Sequence, residues 1–220
     1  MRIVTTILSS CVLLTACSTH AGLAKPSALA MPALCATAQQ TALISDYVTN
    51  KRPGVPLAIP SRNLKIPEGL IASGLPDGSA VGVSVTPELT KKIWASIDAW
   101  GKNTTVSLIF SPSSQHAFAF SSLVPVAQID EGDGYLDVYA DDGDGVHSHL
   151  QLDYVSSIWA TDLQTVDGAS RSRGISLFGP DDHLIVGVYA SVKGDPFDEA
   201  AVNGFAKTWD LIASMPQACS

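Results

Sequence analysis

The chain has little charge. Only 15% of its 220 residues are charged, against about 25% in an ordinary globular domain. The charge it has is mostly negative: 13 Lys and Arg face 21 Asp and Glu, a formal net charge of −8. There is no basic cluster, which excludes a phosphate-backbone binder, because nucleic-acid affinity rests on Lys and Arg. No apolar run is long enough to cross a bilayer, which takes about 20 residues. No glycine-rich phosphate loop and no G-x-S-x-G elbow occurs, no nucleophile–base pair stands out, and no internal repeat is visible. Cysteine is scarce too. The four lie at 11, 17, 35 and 219, and a structural zinc site asks for four ligands from one folded unit.

What is present begins with an export signal. Arg2 precedes the apolar stretch Ile3–Ala16, the length of a signal-peptide core. Leu14-Thr15-Ala16-Cys17 resembles the lipobox of bacterial lipoproteins, which implies cleavage after residue 16 and a lipid on Cys17. The alternative is an ordinary signal peptide cut at a small-residue site. Ser18 after the cysteine implies the outer membrane, facing the periplasm. Residues 17–35 read as a small, polar tether, and 36–220 as one domain. Cys35 and Cys219 lie at the two ends of that domain. Exported proteins favour disulfides and domain termini tend to lie close together, so a Cys35–Cys219 bridge is expected, with two free buried thiols as the alternative.

With 46% hydrophobic residues the domain can build a core. Apolar spacing predicts a helix over 36–50, stopped by Lys51-Arg52-Pro53-Gly54. Pro67-Glu68 is a helix start and Gly74 a stop, followed by a turn at 75–78 and a strand at 80–85. Thr86-Pro87-Glu88 opens a helix to Trp100. Strands are expected at 104–110, 116–121, 124–129 and 135–140. Residues 145–189 read as a strand ladder ending in a hairpin around Gly179-Pro180-Asp181-Asp182. A closing helix spans 197–215. The fold class is therefore α+β.

Three features invite a chemical reading. Asp141-Asp142-Gly143-Asp144-Gly145 is calcium-like, but lacks the final Glu and the flanking helices of an EF-hand, and a solvated acidic loop fits it better. His147 and His149 share one strand face at i, i+2, a spacing that can chelate a metal with His116 or His183 as further ligands. His116, Phe118 and Phe120 alternate with small residues and point to one face.

The run Ser61–Gly74, the turn Leu75-Pro76-Asp77-Gly78 and the helix ending Trp100-Gly101-Lys102 resemble the haem-utilisation carriers of HutX/ChuX type. So do Ser148-His149-Leu150, Ile158-Trp159, Ile175–Phe178 and the Phe205, Trp209, Ile212 helix. The related HemS-type haem-degrading factors carry this unit twice. The resemblance covers residues 36–215. It implies an α+β fold with an antiparallel sheet and flanking helices, and a single haem-binding unit, often dimeric, without a chemical step. It implies His149 and His116 as iron ligands, with Phe118, Phe120 and Trp159 against the porphyrin. This sequence departs from the carriers in being exported, in having few basic residues for the propionates (Arg171, Arg173 and Lys193), and in placing Ser148 where they have glycine. The expectation is an extracytoplasmic haem-trafficking lipoprotein. The alternative is an interaction or scaffold lipoprotein of the same fold that binds no haem. A protein binding zinc or copper through His147 and His149 is a third reading.

Overall fold

Thr37 and Gln40 satisfy each other's backbone N–H groups in a capping box and so begin α1, Ala38–Asp46. The computed structural model describes residues 30, 32–113, 116–128 and 134–219. The signal segment, Cys17 and nearly all of the tether lie outside the described residues. Ala33 and Ala36 are already tied to the domain: their N–H groups donate to the hydroxyls of Ser84 and Ser73.

After α1 the chain makes one wide π-type turn, Tyr47–Lys51, and stops at Pro53-Gly54 as expected. A short helix that the pattern did not reveal follows, α2 (Ala58–Leu64). Its Pro60 falls in the first turn, where a missing N–H costs no helical bond. Next comes α3 (Glu68–Ser73), bounded by Pro67 and Gly74 as expected. Thr86 caps α4 (Pro87–Asp98) by accepting from the Leu89 N–H. The closing helix is α5 (Glu199–Ala213).

The strands are β1 (Ala80–Ser84), β2 (Thr105–Ser113), β3 (His116–Leu123), β4 (Val126–Gln128), β5 (Tyr135–Tyr139), β6 (His147–Gln151), β7 (Ser157–Gln164), β8 (Arg171–Phe178) and β9 (Leu184–Ser191). They form two antiparallel sheets, of order β1-β7-β8-β9-β2-β3 and β4-β5-β6. The single ladder expected over 145–189 is thus split. β6 pairs with β5, and β7 begins the large sheet beside β1 and β8. β2 runs on past the expected end at 110, through Pro112 to Ser113, by way of a register shift, the way a strand accommodates proline at an irregularity.

The large sheet is covered on both faces. Alternate side chains Ile158, Ile175, Leu177, Val186 and Val188 pack toward α4, α5 and the small sheet. Trp159, Phe178 and Tyr189 pack toward α1, α2 and α3. The aromatic rings of this second layer need glycine beneath them. A Cβ on Gly82 would sit 2.1 Å from the Trp159 ring, and Cβ atoms on Gly174 and Gly187 would each sit 2.6 Å from Tyr189. The tail closes the β1 edge, where Gly82 N–H donates to the Gln217 side chain and Ala218 N–H to the Gly82 carbonyl. The Cys35–Cys219 disulfide, with Cα atoms 5.8 Å apart, then staples the two ends together. β3 forms the other edge of the sheet.

Candidate functional site

Phe110 on β2 and Phe120 on β3 stack at 5.6 Å between ring centroids. Phe118 pairs directly with Phe110 across the strands, so it lies on the same face. Phe118 is 56% exposed and Phe120 39%, unusual for rings that could have been buried. They wall a cleft of about 710 Å³, within the range of small-molecule sites. The β8–β9 turn supplies Asp181 and His183, the start of β9 supplies Leu184 and Ile185, and the small sheet supplies His147 with Val146 just before it. Tyr154 closes one side, its ring resting over Gly179, where a Cβ would lie 2.7 Å away.

Two of the expected aromatics, Phe118 and Phe120, therefore meet in one cleft. Trp159 does not join them. It is 5% exposed and belongs to the layer under the N-terminal helices, because strand alternation turns it to the face opposite Ile158. His149 and His116 do not line the cleft either. His149 stands on the outer face of the small sheet, its Nδ1 2.6 Å from Asp137 Oδ1. His116 begins β3, its Nδ1 3.3 Å from the Ser113 hydroxyl. The imidazoles that line the cleft are His147 and His183. His147 stacks on Tyr139 at 5.8 Å and meets His149 edge-on at 5.7 Å. The i, i+2 pair is thus adjacent, but no group of three or more metal-ligating side chains gathers among the described residues. The acidic loop is a short 3-10 turn, Asp141–Gly143, and Asp142 pairs with Lys102 at 3.0 Å.

Behind the cleft lies a polar cluster that sequence reasoning missed. Glu68, the first residue of α3, is 3% exposed. Its Oε1 accepts from the Ser111 hydroxyl at 3.1 Å, and its Oε2 accepts from the Leu184 N–H at 3.4 Å and lies 3.3 Å from His183 Nδ1. The neighbouring Gly69 N–H donates to the Asp182 carbonyl at 2.8 Å. Asp182 sits in the left-handed region with φ 58°. Burial pushes its carboxyl up to about 6, Asp181 adds to this, and His183 opposes it. In the sequence Glu68 was legible only as a helix start, and Asp181-Asp182 only as a turn. Their convergence needs α3 to dock on the β8–β9 turn.

No family model matches the sequence, and no curated protein does. Solved structures do resemble it. A protein from Erwinia carotovora superposes with a TM-score of 0.59 at 14% identity, covering 80% of this chain and 99% of that one. ChuX, described as a haem-binding protein, gives 0.58 at 11% identity over 80% of this chain and 99% of its own. ChuS from Escherichia coli O157:H7, described as a haem-degrading enzyme, gives 0.55 at 14% identity over 76% of this chain, which spans 47% of ChuS. The chain has the single-unit α+β fold of the ChuX and HemS type.

Proposed function

We propose that the chain binds haem in the cleft beside β3 and hands it on without a chemical step. The observation that carries this is the cleft itself, three phenylalanines and two imidazoles around one cavity. ChuX, which shares the fold, is described as a haem-binding protein. The residues fit the group. Phe110, Phe118, Phe120, Leu184 and Ile185 offer apolar area to a flat macrocycle. Haem, when bound, would supply an iron, and the imidazoles of His147 and His183, which line the cleft, are the residues that would hold it. The cleft residues include no Lys or Arg, so the propionates belong at the open mouth, in water.

In this reading the protein is a lipoprotein held by Cys17 at the outer membrane and working in the periplasm. The Cys35–Cys219 disulfide supports an oxidising compartment. A homodimer belongs to the same reading. β3 is an eight-residue sheet edge without a charged residue, the kind of edge on which another copy can pair.

One observation favours the alternative, an interaction lipoprotein that kept the fold without the ligand. Among the described residues the cleft is lined by no Lys or Arg, while Asp181 lines it. A haemin titration of residues 33–220 followed by absorbance decides between them. A saturable Soret shift near one equivalent, weakened by Phe118→Ala and Phe120→Ala, supports haem binding. Absence of any shift assigns the fold to the interaction role.

A further inference from the structure

The cleft holds two imidazoles, and the structure treats them differently. His183 is held from behind. Its Nδ1 lies 3.3 Å from Glu68 Oε2, and Glu68 is a buried carboxylate that the Ser111 hydroxyl and the Leu184 N–H also fix. The side chain of His183 is 36% exposed and lines the cleft, while that of Glu68 is only 4% exposed. Beside a carboxylate acceptor the proton of a neutral imidazole resides on Nδ1, which leaves the Nε2 lone pair free. Histidines that ligate metals are commonly oriented by such a carboxylate partner, which also raises ligand basicity. The carboxylate cannot drift away. Gly69 N–H holds the start of α3 to the Asp182 carbonyl, and a Cβ at Gly69 would lie 2.8 Å from Asp182 Oδ1, so the contact needs glycine. His149 has a carboxylate partner in Asp137 but lies outside the cleft, and His147 lines the cleft but rests on Tyr139.

We propose that His183 is the residue that offers iron a nitrogen, through Nε2, and that Glu68 is its positioning residue. This rests on the haem reading above. A buried Glu–His contact could equally be a lock between α3 and the β8–β9 turn, so the test must read more than folding.

The purified protein is titrated with haemin and, in parallel, with metal-free protoporphyrin IX, which fills the same apolar space but has no iron to ligate. His183→Gly is expected to lose the Soret signature of the parent and to regain it when imidazole is added, while protoporphyrin binds as before. Glu68→Gln is expected to weaken haemin about tenfold, the usual cost of losing such a partner, with protoporphyrin unaffected. An unchanged haemin spectrum in His183→Gly, with both porphyrins bound, overturns the assignment and leaves the haem reading standing. Equal weakening of both porphyrins in Glu68→Gln makes Glu68 a structural lock and overturns its positioning role. Failure of the parent to bind either porphyrin removes the haem reading and the inference with it.

Discussion

Asp98 shows how one residue couples this domain to pH. Burial raises its carboxyl from 3.8 to about 6, against the opposing hydrogen bonds from the Ala127 N–H and Trp94. A raised carboxyl favours the protonated folded state. Its contribution is therefore complete below the unfolded value and is lost as pH rises through about 6. Asp98→Asn should raise the melting temperature at about pH 8 and lose that advantage at about pH 4. The gain should be on the order of 1 kcal/mol once solvent screening of a half-buried group is allowed for. Equal gains at both pH values would refute the assignment. Gly82 carries a second expectation at this scale. Its missing Cβ is the space occupied by the Trp159 ring, so Gly82→Ala should cost about 1–3 kcal/mol in chemical denaturation through overpacking.

Among the elements, β3 carries the site and little of the core. Its six leading residues are all exposed, including the two phenylalanines of the cleft. Phe118→Asp should leave the unfolding free energy within about 0.5 kcal/mol of the parent, as exposed positions do, yet weaken haemin binding in the titration. A large loss of stability with binding intact would mean that the ring serves packing. α4 is the opposite case. It stands at the core, with Ile93, Trp94 and Ile97 all buried. Losing its cap in Thr86→Ala should cost about 1 kcal/mol with no effect on haem.

For the whole molecule, the disulfide is the largest single constraint. It joins residues 184 apart in sequence, and closing so long a loop is worth about 5 kcal/mol by the chain-entropy account. Reduction should lower the unfolding free energy by up to that amount, read in chemical denaturation, while leaving the cleft, at the opposite edge of the sheet from the β1–tail seam, able to bind. Net charge gives a second expectation. An acidic chain whose cleft has no Lys or Arg gains nothing from long-range attraction to propionates. Haemin affinity should therefore hold or rise, not fall, between about 0.05 and about 0.5 M salt, as screening relieves the repulsion between like charges. A steep fall with salt would point to cations elsewhere in the site.

Much of the frame was readable along the chain, because it is local. Thr86-Pro87, Pro67 and Gly74 bound helices through their own backbone chemistry, and the alternation of His116, Phe118 and Phe120 fixes which side chains share a face. The pairing of Cys35 with Cys219 is expected from their places at the two ends of the domain, and the structure has that bridge. What alternation cannot say is which sheet a strand joins or what packs against each face. That is why β6 falls outside the large ladder expected of it, and why alternation alone does not show that Trp159 packs under the N-terminal helices or that His147 and His183 line the cleft. Glu68 and His183 are 115 residues apart in sequence. Only the docking of α3 on the β8–β9 turn brings them together, because burying α3 against the sheet fixes where its first carboxylate must lie.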